Sequence, residues 1–302
     1  MTNLHLRRLI ISAVFLAISL IFKVSTTLYI PLFGANDARV GIHGVFAIMP
    51  AILFGPWYGA VVSGLADVLG FIFRSTGGGA WLWQLTVIMV AGGFIRGWAW
   101  RLLRSRSPVA MRVVVIAITI GFIFVGGFSM VQLRQEGITR QFYDYVEEPR
   151  ALETYDMNTI GRLVIRRSQN AAYPYRNLFN RIIEVTVAPL GVGLLGIILL
   201  AVDFALSKGL KKEQFSNKLT GSWNGSIMPL ALTVIVVSLL INTANSLVLW
   251  GFAAPAWGAF PFAYIWLPRA TVALLNSVVN VFVAVLLLRV CYRLPHLKAL
   301  ME

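Results

Sequence analysis

Apolar runs close to 20 residues long recur from one end of this chain to the other, and this recurrence constrains the fold more than any motif. A helix rises about 1.5 Å per residue, so it needs about 20 apolar residues to cross the hydrocarbon core of a bilayer. Eight runs are read as spans, at roughly 9–29, 40–54, 57–73, 82–103, 113–132, 181–207, 227–250 and 262–288. Composition agrees: 58% of the 302 residues are hydrophobic and 13% are charged, against about a quarter charged in an ordinary globular domain. The expectation is an all-α polytopic membrane protein. The first run has no small-residue cleavage site after it, so it is expected to stay as a span rather than act as a signal peptide.

The net charge of +14 does not call for nucleic acid, because basic residues cluster where spans end. Arg7-Arg8 precedes the first span, and Arg101, Arg104, Arg106 and Arg112 follow the fourth. Lys208, Lys211 and Lys212 follow the sixth, and Arg289, Arg293 and Lys298 close the chain. Cytoplasmic loops carry such an excess, which puts both termini in the cytoplasm. The polar stretch 133–180 runs against the pattern, since its seven arginines then lie outside. Three blocks follow: spans 1–4 in 1–108, two further spans and the polar segment 133–180 in 109–212, and two closing spans in 213–302.

Within 39–74 two apolar segments meet at Gly55-Pro56, and Gly59, Ala60, Gly64 and Ala66 keep one helix thin. The first of these segments, 40–54, at 15 residues, is short for a crossing, so shelter by its neighbours is expected. Asp67 lies at membrane depth, where an ionisable group faces a cavity or links helices. Arg39 and His43, four residues apart, are expected on one helix face, either capturing an anionic or heteroaromatic ligand or anchoring the interface. Arg269 lies about two turns inside the last span, deep for a snorkelling side chain. Asn242, Asn245, Asn276 and Asn280 add amides to the last two spans, as ligand contacts or as links between helices. Trp81, Trp83, Trp250, Trp257, Tyr264 and Trp266 form either an interfacial belt or, with Gln84 and the loop containing Thr76, a stacking pocket for a planar ligand. Ala13 and Ala17 make a small-xxx-small patch, which spacing alone assigns to helix packing.

No HExxH, CxxC, nucleophile elbow or Walker A motif is present, so neither catalysis nor ATP hydrolysis is expected from this chain. The single cysteine, Cys291, excludes a disulfide framework, and the three histidines are too scattered for a metal site, so no cofactor is expected. Two functional classes stay open: a small-molecule transport subunit, and a membrane sensor or scaffold working through 133–180.

The stretch from Ala35 to Gly70 resembles the substrate-binding S components of energy-coupling factor (ECF) transporters, most closely the folate-type branch. The residues that carry this are Arg39-Val40, Met49-Pro50, Leu53-Phe54-Gly55-Pro56, Tyr58-Gly59-Ala60 and Gly64 through Gly70. Ala13 and Ala17 are similar to the family's AxxxA patch, and Leu240-Ile241-Asn242-Thr243, Pro261-Phe262 and Arg269 to its closing helices. The resemblance implies a six-helix subunit of a prokaryotic plasma membrane that binds a vitamin or related metabolite. It also implies a transmembrane coupling subunit, met at Ala13 and Ala17, and two partner ATPases whose work topples the subunit in the membrane. The ligand pocket it implies draws on Arg39, Thr76, Trp81, Gln84, Asn242, Asn245, Trp257 and Arg269. The 109–212 block departs from the family, which passes directly from its fourth helix to its fifth.

Overall fold

A computed structural model describes residues 2–25, 28–30, 38–73, 81–135, 182–183, 185–210, 226–253, 262–294 and 300. Helix α1 is Thr2–Ser25, followed by strands β1, Leu28–Ile30, and β2, Ala38–Val40. Then come α2, His43–Leu53, α3, Pro56–Ile72, α4, Trp83–Leu103, and α5, Pro108–Gln135. The described part of the chain continues with α6, Val187–Leu210, and with α7, Met228–Val248, which a π-helical turn extends over Leu249–Ala253. It closes with α8, Phe262–Arg293.

The fold is helical, with one correction. A short antiparallel ribbon, Leu28 opposite Val40 and Ile30 opposite Ala38, takes up the end of the first expected span and the start of the second. Among the described residues, five helices, α1 and α5 to α8, contain stretches long and apolar enough to cross a membrane. Helices α2 and α3 are shorter apolar helices. Because α2 packs against α1, α3, α4 and α8, it is sheltered along much of its length, and Val45 and Ile48 through Leu53 are buried.

The hairpin from α2 to α3 is set by local chemistry. Gly55 has φ 105° and ψ −175°, a region only glycine enters freely, and Pro56 follows in the first turn of α3, where its missing N–H is no loss. This hairpin marks the turn end of the bundle, and the β1–β2 ribbon marks the opposite, ribbon end. Farther along, α3 and α4 touch backbone to backbone. A Cβ on Gly59 would stand 2.6 Å from the Gly93 carbonyl oxygen, and one on Gly93 would strike the Gly59 carbonyl. Gly97 meets Pro56 in the same way, at 2.6 Å. Small residues permit this approach, and in a membrane close packing takes the place of hydrophobic expulsion.

Helix α7 packs on α4 and α8, and its Met228–Ile235 stretch is buried throughout. Helices α5 and α6 pair with one another through Gly126, Gly193 and Gly196 and lie against α7 and α8. A charged cluster fastens the pair to α7. Asp203 of α6, wholly buried, accepts hydrogen bonds from Arg112 Nε of α5 (2.7 Å), Ser226 Oγ (2.8 Å) and the Ile227 backbone N–H (2.9 Å). The carboxylate thus sits at the N-terminus of α7, where unpaired N–H groups and the helix dipole favour negative charge. Arg112 also lies 4.6 Å from the centre of the Phe204 ring.

Two variants test these joints. Asp203→Ala leaves the half-buried Arg112 guanidinium without its carboxylate and the start of α7 without its acceptor, and is expected to lose about 3 kcal/mol of stability. The double variant Asp203→Leu with Arg112→Met should recover part of that loss in a thermal melt of the purified protein. Gly93→Leu forces α3 from α4 and should lower stability by at least about 1–3 kcal/mol, read as a lower melting temperature.

Candidate functional site

A cavity of about 240 Å³ lies inside the bundle, between α1, α2, α3, α4, α7 and α8. None of its lining residues comes from α5 or α6. Helix α4 supplies Met89 and Arg96, two turns apart on one face. Helix α7 supplies Ser238, Ile241, Asn242 and Asn245, and α8 supplies Ala273, Asn276, Ser277 and Asn280, both at the three- and four-residue spacing of one helix face. Helix α1 adds Ser19 and Lys23, α2 His43 to Ile48 in part, and α3 Ser63, Ala66 and Asp67.

Hydrogen bonds fix the ribbon end of this cavity. Ser19 Oγ donates to the His43 carbonyl (2.9 Å), and Lys23 Nζ to the Ala66 carbonyl (2.9 Å). Thr86 Oγ1 of α4 donates to Asp67 Oδ2 at 2.8 Å, and Trp81 Nε1 donates to Thr86 Oγ1 at 3.2 Å. The Gly41 N–H donates to Asn276 Oδ1 at 3.3 Å, tying the segment after the ribbon to α8. Deeper in, polar atoms lack partners: among the described residues Ser63 Oγ, Arg96 Nε, Asn242 Nδ2, Asn245 Oδ1 and Asn280 Oδ1 are buried and unbonded. Nearly all buried polar groups in folded proteins are satisfied, so five such atoms around one cavity mark a place where a polar ligand or water would bond.

His43, Asp67, Asn242 and Asn245 therefore line one cavity, as a shared site requires. Arg39 does not share a helix face with His43, because Arg39 pairs with Tyr29 in the ribbon and α2 begins only at His43. The chain turns at Gly41-Ile42 between them, which spacing alone did not show. Gln84 lies in the first turn of α4 with its Oε1 buried, outside the lining. Arg269 stands one turn beyond Ala273, toward the ribbon end, also outside the lining. Thr76 and Trp257 lie outside the described residues. Sequence reasoning missed Ser19, Lys23, Ser63 and Arg96, and left Asn276 and Asn280 as undecided amides. The overlooked signal for Arg96 is a guanidinium in the interior of an apolar run, which is costly unless it faces a cavity or partner.

Among the described residues no Phe, Tyr or Trp lines the cavity. Trp81 and Trp83 are exposed at the ribbon end of α4, and Trp57 and Trp98 toward the turn end. Trp266 Nε1 is bonded to Thr243 Oγ1 at 2.7 Å. These exposed rings fit an interfacial belt better than a stacking pocket. Ala13 and Ala17 are exposed on α1. Ala13 lines an apolar groove of about 390 Å³ between α1 and α3, with Leu9, Leu16, Trp57, Val61 and Leu65.

Fold and cavity together define a polytopic helical membrane protein with a polar, ligand-sized interior. Residues 7–135 match the family model described as "ECF transporter, substrate-specific component". The match covers less than half of the chain and runs from α1 through α5. Comparison with curated proteins and with solved structures gave no match.

Proposed function

We propose that this protein is the substrate-binding membrane subunit of an ECF-type transporter, importing a vitamin-like small metabolite with energy from partner ATPases. The observation that carries this is the cavity: four asparagines and four serines face one space inside an apolar bundle, with several of their buried polar atoms unbonded. A membrane protein gains nothing in stability from such atoms, whereas a bound polar ligand would satisfy them. The match to a substrate-specific component over 7–135 supports the same role.

In this arrangement the ribbon end faces outward and both termini lie in the cytoplasm, in keeping with the basic residues at the span edges. The six helices that line the cavity form the ligand-binding core, and α5 with α6 packs beside it. Folate-like ligands have an anionic part and a flat ring; the cavity's chemistry supports the former, since His43 is its only ring-bearing lining residue among those described. The volume, just under the roughly 300–1,000 Å³ of usual small-molecule sites, favours a small ligand. The exposed Ala13 and Ala17, beside a groove with almost no polar wall, suit the approach of a helix from a coupling subunit.

Binding is tested on purified protein by native mass spectrometry for a retained small molecule. Asp67→Ala and Asn242→Ala should each lower its occupancy at least about tenfold, the loss of one or two buried hydrogen bonds, with the melting temperature of the ligand-free protein within a few degrees of wild type. Wild-type occupancy in both variants would remove the site. For the interface, Ala13→Trp should abolish co-purification with a coupling subunit while leaving small-molecule occupancy unchanged. Intact co-purification would show that the partner docks elsewhere.

A further inference from the structure

The deepest charged group in the cavity is Arg96, which no part of the match or the expected pocket singles out. Helices α3 and α4 run antiparallel with a register fixed by their contacts: Asp67 with Thr86, Gly59 with Gly93, Pro56 with Gly97. Arg96 therefore lies about 15 Å farther along α4 than Thr86, toward the turn end. Side chains on a helix lean toward its N-terminus, which for α4 is the ribbon end, so the Arg96 guanidinium reaches back into the cavity from its floor. It is 8% exposed, too buried for a snorkelling residue whose head sits in water. Among the described residues it makes no hydrogen bond or ion pair, and the described acids are engaged elsewhere: Asp67 with Thr86, Asp203 with Arg112.

Among the described residues the charges on the walls do not pair off. Lys23 and Asp67 stand together near the ribbon end, where Lys23 bonds the carbonyl of the residue before Asp67. Among the described residues Arg96 is left as an unpaired guanidinium at the floor. An isolated guanidinium in a low-dielectric interior is strongly unfavourable, and the partner that fits its planar fork is a carboxylate. One fork seats one carboxylate through two parallel N–H···O bonds.

We infer that Arg96 is the specificity-determining residue of this cavity, and that the ligand is a small monocarboxylate entering acid end first. The carboxylate seats on the Arg96 fork at the floor. The remaining polar groups of the ligand meet the amides of Asn242, Asn245 and Asn280, whose unbonded atoms include both donors and acceptors. This assignment rests on the substrate-binding role proposed above.

The test uses the full chain purified in mild detergent, as wild type, Arg96→Gln and Arg96→Lys. Small molecules released from wild type are identified by mass, and the released molecule is re-added to each protein beside its primary amide in equilibrium dialysis. The expected result is an acid bound by wild type, with its amide about a hundredfold weaker, the scale of a buried charge pair losing one partner. Arg96→Gln should bind the acid and the amide equally. Arg96→Lys, which keeps the charge and loses the fork, should fall between them, and it decides the matter if Arg96→Gln does not fold. A neutral bound molecule, or an acid-over-amide preference unchanged in Arg96→Lys and Arg96→Gln, would overturn the assignment while leaving a binding subunit in place. Wild type that carries no small molecule and shows no melting shift with the small-molecule fraction of its host cells would instead overturn the substrate-binding role itself.

Discussion

The backbone contact between Gly59 of α3 and Gly93 of α4 sets the geometry on which the interior depends. With any side chain at either position the helices would stand apart, at or beyond the usual 8–10 Å between axes. Their closeness places Thr86 within 2.8 Å of Asp67, so this carboxylate on the cavity wall is held from the opposite helix. It also aligns Ser63 with the α4 face that carries Arg96, since a Cβ on Gly93 would stand 2.6 Å from Ser63 Oγ. The small residues that make one wall thin thus fix where its polar groups project.

That wall is also what the sequence made most legible. The boundaries expected for 57–73 and 82–103 fall within a residue of α3 and α4, because long apolar runs bounded by Gly55-Pro56 and by arginines leave little freedom. The start of α2 was misjudged, since an apolar run does not say whether it continues as helix or as strand; Ala38–Val40 pairs with Leu28–Ile30 instead. In the site, His43, Asp67, Asn242 and Asn245 were recognisable as polar residues inside apolar runs. Arg96 and Asp203 have the same signature, an ionisable group inside an apolar run, but neither belongs to a motif that sets it apart from the arginines and acids at span ends. Which polar residues face one another depends on how each helix is rotated about its axis, and for α7 and α8 that rotation comes from packing rather than from the modest asymmetry of their sequences.

The aromatic residues separate from the cavity for a physical reason. Trp83 and Trp98 stand on the exposed surface of α4, about 22 Å apart along its axis. Rings with an apolar face and one N–H donor settle at the boundary between headgroups and acyl chains. The interior is left to short amides and hydroxyls, which occupy little volume and leave space for a guest.

The cluster around Asp203 has a mechanical consequence. One carboxylate holds α5 through Arg112 and the start of α7 through Ser226 and Ile227, so three helices share a single anchor. The α5–α6 pair cannot slide or lift independently at that end without stripping the buried carboxylate of its bonds to Ser226 and Ile227. Any tilt of the bundle in a bilayer therefore carries α5 and α6, of 28 and 24 residues, along with the start of α7. The flank these two helices form displaces lipid along its whole length and moves with the rest of the bundle.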